Sequence, residues 1–503
     1  MRRFLLFLVL VVMTGLRAAT DEYRPLYHFS PKQNWTNDPN GLIFFRGDYN
    51  LFFQFNPFGD KWGHMSWGHA VSRDLIRWNE LPVALHEEHG IMMFTGSTVF
   101  DEKNTSGLCN AGGCLVAIYT GHTPETKTSP ALQTQNIADS NDGGRTWTKY
   151  SGNPVLNLHL TDFRDPKVFW SRAGDEWVMA VSLPNDHKVS FYGSKDLKSW
   201  KHLSDFGPAG ATGGQWECPE IFELPVDLDT SQRKRFVLKV GLNPGSPQGG
   251  SGEQYFIGDF DGTRFKNGNP PGLTLLTDHG KDCYCALTFN NLPAGQETVM
   301  MGWMDNWDYA AELPTSPWRG QMTIPRTVGL RTTAAGVRLV QAPIPNLQKL
   351  RTEHIHFAGR SATALNQMLA RSSIGASHTY EIESTVESGE ASDAEWRVLV
   401  GSGSYTAIGY SHASKSIFVD RTRSGEVGFS PKFPTRTAAR VQLDGGRLQF
   451  RILVDRNSVE VFSQNGEITL TNLVFPPRNA AGIELLSPDG APIQADIWKL
   501  ELK

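Results

Sequence analysis

The chain has 503 residues, with 48 basic and 52 acidic side chains and a formal net charge of −4 at pH 7. This length is enough for two or three domains with cores of their own. The balanced charge and the lack of an extended basic run exclude a typical nucleic-acid-binding protein. The 14 Trp residues fit two interpretations, sugar-stacking surfaces or core packing in a β protein.

Residues 1–19 are predicted to be a secretory signal peptide. Arg2 and Arg3 precede an apolar stretch at 4–13 that is too short to span a bilayer, and Ala18 and Ala19 supply small residues for cleavage. We therefore expect a secreted protein, extracellular or periplasmic, with no membrane association after cleavage. An uncleaved anchor is the alternative.

An internal repeat covers residues 24–338. One apolar strand pattern recurs with steps of 64, 63, 59 and 62 residues, at Leu51, Leu115, Val178, Val237 and Val299. Another apolar strand precedes each marker, and a Ser-x-Asp…Trp element follows three of them, at 72–78, 140–147 and 194–200. Five units of roughly sixty residues predict an all-β fold, a five-bladed β-propeller, better than a sandwich. A solenoid is the structural alternative, although its repeats are usually shorter.

The pattern changes after the repeat. Residues 339–357 are expected to form a linker, because they contain an Ala-Pro-Ile-Pro segment. Short alternating strands then predict a β-sandwich domain at 358–503. The predicted strands are 379–382, 397–400, 416–419, 448–454, 458–462 and 495–500. This domain could bind polysaccharide, support the first domain or mediate a homodimer.

The chain has five Cys residues, an odd number. Cys109 and Cys114 flank a short loop and could form a disulfide in an oxidising compartment. Cys283 and Cys285 are poorly spaced to bridge to each other. No Cys or His cluster has the spacing of metal ligands, so neither a metal nor a cofactor is expected.

Three acids open the first strands of different repeat units. They are Asp38, Asp165 and Glu217, each with Pro one or two residues further on. In a propeller these strand starts gather at one mouth of the central channel, where mutual repulsion raises at least one carboxyl pKa. A glycosidase needs such a pair, with one carboxylate ionised and one carboxyl protonated. Taken alone, each of these acids could instead be an ordinary turn or cap residue. Asp282, near the fifth first strand, is a weaker candidate.

Strand alternation makes a further prediction around Glu217. Successive side chains of an extended strand point to opposite faces, so Glu217 and Glu220 cannot both face the channel. By the same reasoning Cys218 is assigned to packing and not to catalysis.

Four segments resemble the sequence signatures of glycoside hydrolase family 32, the family of invertases, inulinases and levanases. They are residues 35–41 (WTNDPNG), 94–97 (FTGS), 163–166 (FRDP) and 216–219 (WECP). Three more are similar to its other blocks: residues 63–69 (GHMSWGH), 317–326 (PWRGQMTIPR) and 452–462 (ILVDRNSVEVF). The resemblance spans about residue 24 to the C-terminus.

The resemblance implies the same propeller and sandwich, and it implies separate roles. Asp38 would be the nucleophile, Glu217 the general acid/base, and Asp165 would stabilise the oxocarbenium-like transition state. The positions matching sugar contacts are Asn37, Gln54, Trp62, Phe94, Thr95, Arg164 and, less directly, Trp303. Thr95 stands where the family usually has Ser, which keeps the hydroxyl. Ordinary packing is the alternative for Gln54 and Trp62.

The expected function is retaining hydrolysis of terminal β-D-fructofuranosyl bonds in levan, inulin or sucrose. Three alternatives remain. The related arabinanase and xylosidase family lacks the motif pairing seen here. Fructosyl transfer would use the same residues with another acceptor. A non-catalytic sugar-binding propeller would be marked by loss of an acid, and all three acids are present.

Overall fold

The computed structural model describes residues 21–110, 112–227, 233–387, 389, 391–443 and 445–502. The predicted signal peptide at 1–19 lies outside these residues. Within the described ranges no helix has the length and apolar composition needed to cross a membrane. Strands dominate throughout, so the predicted all-β class is confirmed.

The strands up to residue 343 form five antiparallel sheets in chain order. The first contains β1 (Asn34–Phe45), β2 (Asp48–Asn56), β3 (Ser66–Ser72) and β4 (Asn79–Leu85). The second contains β5 (Met92–Asp101), β6 (Cys114–Thr123), β7 (Leu132–Ser140), β8 (Thr148–Lys149) and β9 (Leu156–Leu160). The third contains β10 (Arg164–Ser171), β11 (Glu176–Leu183), β12 (Lys188–Ser194) and β13 (Lys201–Phe206). The fourth contains β14 (Gln215–Pro225), β15 (Lys234–Asn243), β16 (Gly252–Phe260), β17 (Phe265–Asn267) and β18 (Leu275–Leu276). The fifth contains β19 (Tyr284–Thr288), β20 (Val299–Trp303), β22 (Arg326–Thr333) and β23 (Gly336–Pro343), while β21 (Trp318–Arg319) joins the first sheet.

The first strands of the five sheets form a closed ring of contacts. β1 contacts β5, β5 contacts β10, β10 contacts β14, β14 contacts β19, and β19 contacts β1. The short strand β21 pairs in parallel with β1, with Asn34 opposite Trp318 and Trp35 opposite Arg319. The ring is therefore closed by a segment far along the chain from the strand that it pairs with.

The five repeat markers lie on the second strands of the sheets. They are Leu51 in β2, Leu115 in β6, Val178 in β11, Val237 in β15 and Val299 in β20, and all are buried. These strands are buried nearly without interruption, since neighbouring sheets cover both faces. Continuous burial explains why the markers read as apolar runs and not as alternating patterns.

The repeated Ser-x-Asp element is a turn that ends the third strand. Ser72, Ser140 and Ser194 are the last residues of β3, β7 and β12. In each turn the Asp two positions later accepts two backbone N–H groups, as Asp74 does from Ile76 and Arg77. The sequence repeat therefore has two physical causes. Buried apolar residues form the strands, and Asp side chains that accept backbone hydrogen bonds form the turns.

The rest of the chain forms two more sheets. The elements are β24 (Arg351–Gly359), α1 (Ala362–Ala370), β25 (Tyr380–Val386), β26 (Ala394–Gly401), β27 (Ser404–Ser411), β28 (Ser416–Asp420), β29 (Arg436–Arg440), β30 (Leu448–Asp455), β31 (Ser458–Ser463), β32 (Ile468–Leu473), β33 (Gly482–Leu486) and β34 (Ile493–Leu500). The strand orders are β24-β34-β25-β30-β31-β32 and β29-β28-β27-β26-β33. One buried cluster contains residues of both sheets, including Ile382, Trp396, Val419 and Ile452.

Six of these strands match the sequence prediction: β25, β26, β28, β30, β31 and β34. Helix α1 was not predicted; Ser361 caps it by accepting the N–H of Ala364, and Leu365 and Leu369 are buried. Four 3-10 segments complete the described elements: Pro184–Asp186, Ala310–Glu312, Pro345–Leu350 and Ile374–Ala376.

The linker expected at 339–357 is mostly strand. β23 runs to Pro343 and β24 begins at Arg351, so only residues 344–350 lie between them. The β22–β23 ladder extends to Pro343, which lies opposite Arg326, and residues from Arg351 onward pair with β34. The unpaired segment between the two ladders is therefore shorter than the expected linker.

Buried charges join the fifth sheet region to the six-stranded sheet. Arg326 donates to Asp278 at 2.9 Å and to Glu460 at 2.5 Å, and all three side chains are buried. His28 contacts Asp455 through Nδ1 and Glu460 through Nε2, each at 2.8 Å. Each buried acid here has at least one cation, so we call these five residues the paired interface cluster.

Asp282 belongs to the same interface and not to the ring mouth. Its carboxylate pairs with Arg421 at 2.5 Å, accepts the N–H of Leu473 at 2.7 Å, and accepts from the Tyr309 hydroxyl. Asp282, the weaker candidate from the sequence, therefore has a structural role, because its side chain points toward β32.

Candidate active site

The first strands of the five sheets share one irregularity. In each, three steps along the first strand match two steps along the second, which is a β-bulge. The bulges lie between Thr36 and Pro39, Met93 and Gly96, Arg164 and Lys167, Glu217 and Glu220, and Tyr284 and Leu287. Residues of the five bulges contact one another: Thr95 donates to Asp38, the Cys218 N–H donates to Asp165, and Cys218 is bonded to Cys285. The bulges therefore lie close together around the ring.

The bulges contain or adjoin nearly every predicted site residue. The bulged pairs are Asn37 and Asp38, Phe94 and Thr95, Asp165 and Pro166, Cys218 and Pro219, and Cys285 and Ala286. Glu217 directly precedes its bulge. The three acids therefore occupy different positions relative to the bulge, and this is why their offsets from the strand starts differ in the sequence.

Asp38 is buried, and only one of its two carboxylate oxygens accepts a hydrogen bond from the described residues. Thr95 Oγ1 donates to its Oδ2 at 2.8 Å, and its Oδ1 has no hydrogen-bond partner among the described residues. Burial raises the pKa of Asp38 to about 6; the charge of Glu217 adds to the rise and the Thr95 hydrogen bond opposes it. Above that pH the free oxygen is an ionised, unpartnered acceptor.

Asp165 is also buried, and its backbone is left-handed at φ 68°. The Cys218 N–H donates to its Oδ2 at 2.9 Å, and its own N–H donates to Thr120 Oγ1 at 3.0 Å. Burial raises the pKa of Asp165 to about 7, Arg164 opposes the rise, and Glu217 and Asp38 add to it. The two aspartates thus share one mouth with too little positive charge to compensate both.

Glu217 is the most accessible of the three acids, with 14% of its side chain exposed. Arg164 donates to its Oε1 from Nη2 at 2.8 Å and from Nε at 3.1 Å. The Tyr284 hydroxyl donates to its Oε2. Burial and the charge of Glu217 raise the pKa of Tyr284 well above its usual range, so the phenol keeps its proton.

Arg164 is held in place by three more acceptors at the mouth. It donates to Asp162 at 2.7 Å, to Gln215 at 2.6 Å and to Gln133 at 3.3 Å. The sequence identified Arg164 but missed these acceptors and Tyr284. Gln215 could have been found from the sequence, because it lies two residues before Glu217. Gln133 lies on β7, far from the motifs, and nothing in the sequence pointed to it.

Aromatic rings line the entrance. Phe94 stacks on His122 with ring centroids 4.5 Å apart and planes 8° from parallel. Trp62 is 46% exposed and meets Phe94 edge-on at 6.1 Å. Burial and the nearby Arg164 lower the pKa of His122, which favours its neutral form. Such faces can stack on the apolar side of a sugar ring.

The other predicted sugar contacts are more deeply placed. Asn37 accepts from Trp35 Nε1 at 2.8 Å. Gln54 is 2% exposed and donates to the Met93 carbonyl at 2.9 Å, directly before the β5 bulge. Trp303 is fully buried, 6.2 Å from the Trp35 ring, and offers no exposed ring face.

Cys218 and Cys285 form a disulfide, with Cα atoms 5.4 Å apart. The sequence placed Cys218 on the face opposite Glu217, which assumed an extended strand. The backbone is left-handed there, at φ 47°, and the bulge brings Cys218 Sγ to 3.7 Å from Asp38 Oδ2. The alternation argument was wrong at this residue. Cys109 and Cys114 also form a disulfide, as their spacing allowed.

The bulge also changes the position of Glu220. It forms a buried ion pair with Lys167 at 2.7 Å and lines a small cavity together with Asp165 and Cys218. The side chains of Glu217 and Glu220 thus both lie inside the ring, with Glu220 more deeply buried. The prediction for an extended strand had excluded this arrangement.

One set of side chains in the described residues has metal-like spacing: Asp38, Cys218 and Cys285. Both sulfurs are bonded to each other and are not free thiolates. This set therefore does not fit a metal site in its oxidised form.

Two family models match the chain. Residues 28–343 match the glycosyl hydrolases family 32 N-terminal domain, and residues 346–501 match the family 32 C-terminal model. A levanase of Bacillus subtilis is 42% identical over 97% of this chain and 72% of its own length. An extracellular exo-inulinase of Aspergillus ficuum is 40% identical over 98% of this chain and 97% of its own length.

Solved structures agree. An exo-inulinase from Aspergillus awamori superimposes with a TM-score of 0.87 at 37% identity, over 96% of this chain and 99% of that one. A β-fructofuranosidase from Schwanniomyces occidentalis, complexed with fructosyl-erythritol, has a TM-score of 0.85 at 31% identity, with the same coverage of both chains.

Proposed function

The chain belongs to glycosyl hydrolase family 32, and we propose that Asp38, Asp165 and Glu217 are its catalytic residues in a retaining mechanism. It is a glycoside hydrolase that hydrolyses terminal fructosyl bonds in fructans or sucrose. The observation that carries the proposal is that three carboxylic acids lie in or beside the bulges of three first strands, with Arg164 donating to Glu217 among them.

In the first step Asp38 Oδ1 attacks the anomeric carbon of a terminal fructosyl unit. The bond from that carbon to the leaving oxygen breaks, and Glu217 gives its proton to that oxygen. Asp38 suits the attack because Oδ1 has no competing donor and Thr95 orients the other oxygen. Because the pKa of Asp38 is about 6, it is mostly ionised at neutral pH.

In the second step water attacks the fructosyl ester of Asp38. Glu217 takes one proton from the water, and the carbon–oxygen bond to Asp38 breaks to release fructose. Tyr284 and Arg164 hold Glu217 from two sides, which fixes its oxygens for both proton transfers. Asp165 faces the positive charge that develops on the sugar ring.

The sugar would be held by residues of the bulges and the aromatic entrance. Asn37, Gln54, Arg164 and Thr95 supply polar groups, while Trp62 and Phe94 supply ring faces. The buried position of Trp303 gives it a supporting role behind these contacts.

We further propose that the five sheets, which end at Pro343, are the blades of a five-bladed propeller and that the two later sheets, from Arg351 to Leu500, form a β-sandwich. The closed ring of first-strand contacts supports the first assignment. The core shared by the six- and five-stranded sheets supports the second. An N-terminal signal and extracellular relatives support export of the mature enzyme.

Hydrolysis in the presence of methanol tests the mechanism. Double displacement transfers fructose to methanol with retained configuration, so methyl β-fructofuranoside should be the first methyl product. Methyl α-fructofuranoside as the first product would rule out the mechanism. Time courses with sucrose, inulin and levan should give fructose from the start, and an early ladder of oligomers would contradict action on terminal units.

A further inference from the structure

The Cys218–Cys285 disulfide joins equivalent positions of two neighbouring strands. Each cysteine is the first bulged residue of its strand, in β14 and in β19. Both have left-handed backbones, at φ 47° and 46°, and both are buried. A left-handed conformation is unfavourable for a residue with a side chain and persists only where its surroundings hold it.

The residues that precede the two cysteines touch each other. Glu217 comes before Cys218, Tyr284 comes before Cys285, and the Tyr284 hydroxyl donates to Glu217. Cys218 also gives its N–H to Asp165 at 2.9 Å and places its sulfur 3.7 Å from Asp38. One bridged cysteine is therefore in contact with or adjacent to all three acids.

No backbone ladder joins these strands in the described part of the chain, since β14 lies in the fourth sheet and β19 in the fifth. The position of Glu217 relative to Tyr284 must be set by side chains. The disulfide is the covalent link between the two bulges.

We propose that the Cys218–Cys285 disulfide is a positioning element that aligns Glu217 with Tyr284 for proton transfer in the proposed retaining mechanism. Without the bridge each bulge can relax separately. The acid/base then loses alignment while the sugar contacts on the other strands remain. Small displacements of a catalytic group cost up to roughly a hundredfold in rate.

A double-mutant cycle with Cys218→Ala, Cys285→Ala and the double variant tests the proposal. Each variant should lose about tenfold in kcat with KM changed less than about twofold, and the double variant should lose no more than either single one. Additive losses, an unchanged kcat, or a loss carried by KM instead of kcat would overturn the proposal.

The matched control is Cys109→Ala/Cys114→Ala, which removes the other disulfide at the start of β6. It should leave kcat and KM unchanged. Near-UV circular dichroism verifies that each variant is folded. If the double variant does not fold, the wild-type enzyme is reduced with a dithiol and its thiols are alkylated and mapped. Loss of activity must then follow alkylation of Cys218 and Cys285, and activity that survives their alkylation would overturn the proposal.

The thiol map separates this proposal from the proposed function. Native protein should show one free thiol, at Cys283. Wild-type enzyme that releases no fructose from sucrose, inulin or levan would contradict the proposed function while leaving the bridge intact. Active enzyme with free thiols at both bridge positions would contradict the bridge alone.

Discussion

The ring mouth and the paired interface cluster both bury several acids, with opposite results. At the mouth Asp38 and Asp165 have pKa values raised to about 6 and about 7, because burial is only partly opposed, by hydrogen bonds at Asp38 and by Arg164 at Asp165. At the interface burial is outweighed by cations, so the pKa values of Asp455 and Glu460 are lowered. The same acids raise the pKa of His28 to about 9 against the effect of its burial. Counter-charge, and not depth, decides whether a buried acid is reactive or structural.

The largest expected effect is at the mouth. Asp38→Asn replaces the attacking carboxylate with an uncharged amide, so kcat on sucrose should fall at least about a thousandfold. The matched control is Asp101→Asn, a buried acid on β5 that accepts backbone N–H groups of Thr105 and Ser106. Initial rates of fructose release measure both variants. A kcat for Asp38→Asn within tenfold of the wild-type value would rule out this residue as the nucleophile.

A substitution in the paired interface cluster should lower the stability of the protein and leave its activity nearly unchanged. Arg326→Met leaves Asp278 and Glu460 buried without their shared cation, which should cost about 3–5 kcal/mol of unfolding free energy. Arg326→Lys keeps the charge but not the several hydrogen bonds, so its loss should be smaller. Denaturant titration measures both, while kcat of the folded fraction should stay near the wild-type value. An unchanged midpoint for Arg326→Met would contradict the role of the cluster.

Asp165→Asn should separate activity from stability. A folded-state pKa near 7 exceeds the unfolded value of about 3.9, so the ionised carboxylate weakens the folded state as pH rises through 7. The variant should lose activity but gain about 1–3 kcal/mol at pH 8, and the gain should vanish below pH 4. Thermal unfolding at both pH values measures this. A loss of stability at pH 8 would show that Asp165 is compensated like the interface acids.

The smallest effect concerns the acid limb of activity. Since Asp38 must be ionised, kcat/KM should fall tenfold per pH unit below about pH 6. Thr95→Val removes a hydrogen bond that lowers the pKa of Asp38, so the limb should move to higher pH, whereas Thr95→Ser should leave it in place. A limb that is the same in all three proteins would exclude Asp38 as its origin.

Sequence patterns predicted what depends on local chemistry. The repeat markers lie on second strands, and the Ser-x-Asp elements form turns, because burial and turn acceptors act within a few residues. The bulges could not be predicted, since they depend on register between strands. For the same reason the Cys218–Cys285 pairing, across 67 residues, was missed. The pairings of Arg326 with Glu460 and of Arg421 with Asp282 were also missed, because each joins residues more than a hundred positions apart.

The pairing of β21 with β1 has a consequence for the timing of synthesis. Trp318 is 284 residues beyond Asn34, its partner in the ladder. At roughly 5–20 residues per second, a ribosome needs about 15–60 s to make the intervening chain. During that interval the strand carrying Asp38 has been made without its parallel neighbour, and its edge is open to other chains. The short pairing at Asn34 and Trp35 is therefore the last part of the first sheet that can form.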